Sequence, residues 1–173
     1  MAKGKQVQDL SWGKPKIWCA PLNDGVEGEW FELPTPVEGS TTLSVTKGDK
    51  KEAKVEGGDV ECVKYNKNTY ALELEIRGAL EDGGIREKPF VDDDGVIAGN
   101  FALKLQPENP NAEGIYIRRS KVSFEPSYSS EDGTKWKYTF DAIRTTGHQT
   151  CEFCKVDDPT AESESASGSE PTA

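Results

Sequence analysis

The clearest periodic signal in the chain is Asn68-Thr69-Tyr70-Ala71-Leu72-Glu73-Leu74-Glu75-Ile76-Arg77. Large apolar side chains recur here at every second position, and the positions between them are small or charged. A repeat of two residues is the period of a β-strand that is buried on one face and solvated on the other. The segment therefore predicts an amphipathic strand that covers a core.

Similar segments lie on both sides of it. Ile115–Glu125 and Lys135–Ala142 flank the turn-rich Ser129–Gly133, which predicts a long hairpin. Further strand-like segments are Lys16–Ala20, Glu29–Leu33, Thr41–Thr46 and Val96–Leu105. Seven to nine short strands separated by turns are typical of a β-sandwich or barrel.

Composition agrees with an all-β fold. Hydrophobic residues make up 34% of the chain, and 17 Gly and 10 Pro favour turns over helices. Gly78–Gly84 is the one candidate for a short helix, with a turn as the alternative. We expect an all-β sandwich or barrel with at most one short helix.

The 173 residues suffice for one domain with tails. We expect an N-terminal arm over residues 1–14 and a single β-sandwich domain over 15–156. Residues 157–173 contain five acids, no Lys or Arg and a low-complexity run of Ser, Glu, Pro, Thr and Ala. This composition predicts a disordered acidic tail.

Charge and hydropathy exclude several classes of protein. The net charge of −10, from 31 acidic and 21 basic residues, repels polyanions and argues against a role in binding duplex DNA. No segment approaches the roughly 20 apolar residues of a membrane-spanning helix. The N-terminus lacks the apolar region of a signal peptide, so we expect synthesis in a cytosol and no membrane partner.

The cysteines leave one metal hypothesis open. Cys151 and Cys154 have the spacing of half a zinc site, and His148, the single histidine, precedes them by three residues. A closed site needs a fourth ligand, which only Cys19, Cys62 or a carboxylate could supply. A redox dithiol and incidental reduced thiols at a strand end are the alternatives, and we expect no cofactor.

Catalytic signatures are lacking. The sequence has no phosphate-binding glycine loop, no zinc-protease motif and no nucleophile elbow. Asp92-Asp93-Asp94-Gly95 does not follow the spacing of a calcium loop, and Glu73 with Glu75 is more simply the polar side of a strand than a catalytic pair. Lys135-Trp136-Lys137-Tyr138 suits a core strand as well as a base-stacking surface. We expect that the protein is not an enzyme.

The segment Lys47–Asp59 is highly charged and contains three glycines. It predicts either a solvated hairpin or loop, or a long loop that becomes ordered on a neighbouring subunit. The candidates for contacts between subunits are its charged residues Lys47, Asp49, Lys50, Lys51, Glu52, Lys54 and Glu56.

The chain resembles the phage major tail (tail-tube) proteins over roughly residues 12–146. The resemblance rests on strand and turn patterns: Trp30–Pro34, Glu56–Gly58, Asn68–Glu75, Arg119–Phe124 and Asp132–Phe140. It implies a β-sandwich with a flanking helix, assembled as stacked hexameric rings whose joined strands surround a DNA channel. The glycine-rich Gly78–Gly84 and the acidic tail depart from the family pattern.

The resemblance also implies sites and partners. The charged segment would be the loop that reaches the next ring, and Glu73, Glu75 and Arg77 would face an acidic lumen that repels phosphates. Partners would be other copies of the chain and other tail proteins, with DNA only as passing cargo during genome ejection. The protein would reside in the virion tail after assembly in the host cytoplasm.

Three other interpretations remain open. A carbohydrate- or protein-binding β-sandwich module would be a monomer that uses some of Trp12, Trp18, Trp30 and Trp136 for stacking. A capsid-decorating protein shares the composition and differs in symmetry. An enzyme would need a site that one histidine and no motif do not provide.

Overall fold

The computed structural model describes residues 11–161, which fold almost entirely as β-structure. The strands in chain order are β1 Lys16–Asn23, β2 Val26–Glu27, β3 Phe31–Glu32, β4 Thr42–Thr46, β5 Lys50–Lys54, β6 Val60–Tyr65, β7 Thr69–Arg77, β8 Asp92–Asp93, β9 Val96–Ile97, β10 Asn100–Gln106, β11 Gly114–Ser129, β12 Gly133–Ala142 and β13 Glu152–Cys154. The predicted all-β class is confirmed. The segment 78–84 forms a turn closed by an Ala79–Ile85 bridge, so within the described residues the helix alternative is not realised.

Eleven strands form one antiparallel sheet whose main path is β2-β1-β10-β11-β12-β7-β4. The long β11 pairs with β10 and β13 along its first part and with β12 along its second. The two halves of the sheet enclose one core, and the sheet does not close on itself. This is a sandwich-like arrangement.

A β-bulge in β11 lets one strand serve both halves. Leu103 pairs with Ile117, but Phe101 pairs with Ser120, so β11 carries one extra residue between these pairs. Before the bulge Ile117 faces the core, and after it Val122 and Phe124 do. An extra residue bends a strand and exchanges its faces, which fits a strand that passes from one half to the other.

The core follows the alternation seen in the sequence. Leu72, Leu74 and Ile76 of β7 are buried, as are Trp136, Tyr138 and Phe140 of β12, which pair with them across the strands. Phe90 lies between the sheet halves and contacts a ring of aromatic side chains: Phe31, Phe101, Tyr138 and Phe140. Both predicted amphipathic strands are therefore confirmed.

Two tight hairpins depend on Asp-Gly turns. Asp24 and Asp94 have φ of 50°, and the glycines that follow them have φ of 81° and 87°. Positive φ at both central residues belongs to the turn that matches strand twist, and Asp-Gly is a preferred sequence for it. These turns join β1 to β2 and β8 to β9.

The strands β5 and β6 form a hairpin of their own, apart from the main sheet. The hairpin is inserted between β4 and β7, which pair directly at Thr46 and Thr69. We call residues 47–67 the arm. The charged segment thus forms the solvated hairpin that was one of its predicted alternatives.

The predicted termini are only partly described. Residues 1–10 of the expected N-terminal segment 1–14 lie outside the described residues, as do residues 162–173 of the expected acidic tail. Lys14 donates its backbone N–H to Glu108 Oε2 at 2.9 Å, and Val156 is buried against the domain.

Candidate functional site

The outer side of the strands β11, β12, β7 and β4 is a continuous polar surface, which we call the polar face. It is built by the residues that alternate with the core positions on these strands. Its charged members are Arg77, Lys121, Lys135, Lys137, Glu73, Glu75, Glu125 and Asp141. The predicted residues Glu73, Glu75 and Arg77 therefore lie together on one solvated surface.

Four bases and four acids make the polar face neutral in formal charge. Lys137 stands opposite Glu75 on β7 and Glu125 on β11, and its Nζ lies 3.5 Å from Glu73 Oε2. The strands of this face carry equal numbers of acids and bases, so the excess of acid that we expected for a channel wall is not found among them.

The arm has no buried side chain in either strand. Along β6 the apolar side chains Val60, Val63 and Tyr65 are 42–56% exposed. Register places them on one side of the hairpin, beside Lys50, Glu52 and Lys54 of β5. The arm therefore presents an apolar stripe next to a charged one.

All seven predicted contact residues lie on the arm and are exposed. Glu52 forms ion pairs with Lys50 and Lys54, and Lys47 Nζ lies 5.4 Å from the centroid of the Tyr65 ring. Over residues 47–67 the arm carries six lysines and five acids. It is therefore slightly basic in an otherwise acidic chain.

The base of the arm is held by backbone contacts. Gly48 donates its N–H to Asn68 Oδ1 at 3.1 Å, and Asn66 donates its N–H to the Asp49 carbonyl at 2.9 Å. A Cβ at Gly48 would lie 2.0 Å from the Asn66 carbonyl oxygen. The close approach requires glycine there and fixes where the arm leaves the sheet.

The edge strand β4 is open. Among the described residues it pairs only with β7, and its sequence Thr42-Leu43-Ser44-Val45-Thr46 contains no charge and no proline. Monomeric proteins usually protect such edges with Lys, Pro or a bulge. β4 is therefore suited to pair with a strand of another chain.

The zinc candidates lie near one another but in different environments. Cys151 is buried in the core, Cys154 is exposed, and His148 Nδ1 lies 3.8 Å from Glu152 Oε1. Within residues 11–161 no three His, Cys, Asp or Glu side chains form a group that could hold a metal.

In the acidic turn, both carboxylate oxygens of Asp92 accept hydrogen bonds from other groups of the protein. Asp92 Oδ1 accepts a hydrogen bond from Lys88 Nζ at 3.2 Å, and Oδ2 accepts one from the Gly95 N–H at 3.3 Å. The side chain of Asp92 is only 13% exposed and stabilises the hairpin turn, whereas Asp93 and Asp94 are exposed to solvent, in agreement with the turn interpretation.

The aromatic residues considered for stacking are mostly structural. Trp136 and Tyr138 point into the core and their neighbours Lys135 and Lys137 lie on the polar face, so no interleaved stacking surface forms. Trp18 is buried, whereas Trp12 is 71% exposed.

Sequence reasoning missed a cluster on the other half of the sheet. Lys104 Nζ lies 4.7 Å from the Trp30 ring centroid and 5.1 Å from that of Tyr116, which Arg118 also covers at 4.7 Å. Arg118 Nε donates to Glu152 Oε2 at 2.9 Å. The sequence pattern placed Lys104, Tyr116 and Arg118 on strands. It could not show that Trp30 contacts Lys104, because Trp30 is positioned by the loop between β2 and β3.

Burial controls the titrating groups around these elements. Burial raises the pKa of the Cys19 thiol and raises that of Cys151 to about 11. Burial, and then the hydrogen bond to Glu27, raise the pKa of Tyr116. These groups therefore stay protonated near neutral pH, and neither thiol is activated as a nucleophile.

No helix in residues 11–161 is long and apolar enough to cross a membrane. No protein-family model matches the sequence, and no curated protein is significantly similar to it.

Proposed function

We propose that the chain is a structural subunit of a phage-type tail tube. In this proposal copies of the chain form stacked, hexameric rings around a channel through which DNA passes. The protein has no catalytic role, and its partners are other copies and other tail proteins in the virion. The number of six and the tail setting rest on the resemblance of the sequence to tail-tube proteins.

The observation that carries the proposal is the arm. An isolated two-stranded hairpin is marginally stable in water, and this one has no side chain buried against its own domain. Its stripe of Val60, Val63 and Tyr65 is left without a covering surface among the described residues. A neighbouring copy would supply that surface, as expected for a segment that links one ring to the next.

The edge of β4 supports lateral assembly. The polar face ends on one side at this strand. On the other side it ends at the part of β11 beyond Phe124, whose N–H donates to the Gly95 carbonyl next to β9. Joining these edges between copies would continue the sheet and remove both exposed edges. A ring built in this way places the polar face on one continuous wall.

The neutrality of the polar face suits a channel wall. A surface with equal numbers of acids and bases does not bind phosphates through counterion release, which requires an excess of Lys and Arg. Under the proposal DNA therefore passes without strong attachment. In this proposal the wall of the channel is charge-balanced, whereas the resemblance to tail-tube proteins led us to expect an acidic lumen.

The experiment removes the apolar stripe of the arm. The variant Val60→Ser, Val63→Ser, Tyr65→Ser should keep its circular dichroism spectrum, because none of the three residues belongs to the core. A matched control changes three exposed apolar residues elsewhere: Val26→Ser, Ile85→Ser and Val91→Ser. We expect the wild type and the control to form large assemblies in light scattering and the arm variant to remain small. Equal assembly of all three would refute the role of the arm.

A further inference from the structure

A cavity of about 570 Å³ lies on the side of β1 and β10 that faces away from the core. Its apolar walls come from Pro15, Leu33, Pro107, Pro110 and Val156. Trp18 of β1 and Gln106 of β10 also line it. Trp18 pairs with Lys104, two residues from Gln106, so Trp18 and Gln106 are diagonal neighbours on one face of the sheet.

These two side chains each keep a buried polar atom without a hydrogen-bond partner. Trp18 is 2% exposed and its Nε1 is an unpaired donor, while Gln106 is 9% exposed and its Oε1 is an unpaired acceptor. The orientation of the Gln106 amide is determined, because its Nε2 donates to the carbonyls of Asn109 and Ala112 at 3.1 and 3.3 Å. An unpaired donor and an unpaired acceptor thus share one cavity.

A short segment of chain lines the same cavity as these two side chains. After Cys154, the last residue of β13, residues 155–158 leave the sheet and line the same cavity; we call them the strap. The side chain of Val156 is buried and packs closely against Gly114 of β11. A Cβ at position 114 would lie only 2.8 Å from Val156 Cγ2. Burying polar atoms without hydrogen-bond partners costs free energy, so a ligand that paired with both atoms would compete with the strap for this position.

We infer that this cavity binds an extended polypeptide segment of another protein, which moves the strap aside. In extended chain the C=O and N–H of one residue point to the same side. That carbonyl would accept from Trp18 Nε1 and that N–H would donate to Gln106 Oε1. The cavity exceeds the ~30 Å³ of a single water and lies within the usual size of ligand sites.

The charges at the rim agree with an uncharged main chain as the recognised group. With the strap and its Lys155, Asp157 and Asp158 moved aside, the charged residues that line the cavity are Lys14, Lys16, Glu32 and Glu108. Both signs are present, so a ligand with one large net charge is not favoured. The inference does not depend on the tube hypothesis.

The test uses the smallest extended residue, N-acetyl-L-alanine methylamide, with the full ¹⁵N-labelled chain. Each of the four tryptophans gives one indole N–H signal, and the Trp18 signal is assigned by its loss in Trp18→Phe. We expect the Trp18 signal to shift and saturate, with a dissociation constant on the order of 10 mM for so small a fragment. The signal of Trp136, which lies in the core, serves as an internal control and should not move.

Two variants make the result decisive. Val156→Ser loosens the strap and should tighten binding by about threefold or more, whereas Val91→Ser on an exposed site should not. Asn111→Trp narrows the mouth of the cavity from an exposed position and should abolish the shift. An unmoved Trp18 signal in both the wild type and Val156→Ser would show that water alone fills the cavity and would overturn the inference. Unchanged binding by Asn111→Trp would also overturn it.

Discussion

Lys137 Nζ on β12 lies 3.5 Å from Glu73 Oε2 on β7, and each side chain is 37% exposed. A pair at this exposure contributes only about 0.2–1 kcal/mol to stability. Its larger effect is on the field of the polar face, because it is part of the balance of four bases and four acids. That balance can be changed without touching the core.

The double variant Glu73→Lys, Glu75→Lys gives the polar face a formal charge of about +4. We expect it to assemble and to retain duplex DNA at least ~10-fold more strongly at low salt than the wild type. The measurement is co-sedimentation of DNA with the assemblies. Glu81→Lys, Glu87→Lys is the control, since it changes the net charge equally at exposed positions elsewhere. Loss of assembly, or retention no greater than in the control, would show that these residues do not line a channel.

Phe90 is 3% exposed, and its ring centroid lies 4.9 Å from that of Phe101 and 5.3 Å from that of Tyr138. Phe90→Ala should therefore lower the free energy of unfolding by about 3–5 kcal/mol. The adjacent Val91 is 91% exposed, so Val91→Ala should change it by less than ~0.5 kcal/mol. Urea titration measures both, and similar values would place Phe90 outside the core.

The four thiols should divide into two classes. Cys62 and Cys154 are exposed, whereas Cys19 and Cys151 are buried. An aromatic disulfide reagent at neutral pH and low protein concentration should react rapidly with two thiols of the native protein and with all four in denaturant. Fast reaction of a third thiol would contradict the burial of Cys19 and Cys151, and the single variants Cys62→Ala and Cys154→Ala identify the reactive pair.

Stability should fall at alkaline pH. The pKa of Cys151 is about 11 in the folded protein against 9.0 for an unburied thiol, chiefly because burial disfavours the thiolate. The unfolded chain releases this proton first, so the contribution of the neutral thiol is complete below pH 9 and decreases as the pH rises toward 11. Urea titrations at several pH values should show a smaller decline for Cys151→Ala than for the wild type. Cys62→Ala should decline as the wild type does, and the same slope in all three would contradict the assignment.

The sequence predicted the strands whose two faces differ. In β7 and β12 only one face is buried, and this produces an alternation of apolar and polar residues that is recognisable in the sequence. The bulge in β11 was not predictable, because an extra residue has meaning only relative to the partner strand. Phe90 was missed for a related reason: it stands in an irregular segment, and its burial comes from rings far away in the chain.

Some features of the candidate sites were likewise predictable from the sequence, and others depend on strand register or tertiary packing. The charged segment was recognised as a hairpin or loop from its composition, but the apolar stripe on β6 emerges only from the register of its two strands. Cys151 and Cys154 have zinc-like spacing, which is informative in a tight loop and not at the end of a strand. The unpaired atoms of Trp18 and Gln106 follow from tertiary packing and leave no sequence pattern.

The most direct test of the account is the assembly state of the purified full-length chain. Light scattering and negative-stain microscopy over a range of concentrations would distinguish the possibilities. We predict rings or hollow tubes at high concentration, with a six-fold end view. A well-folded monomer that persists at every concentration, with the arm fully accessible to protease, would contradict the tube proposal.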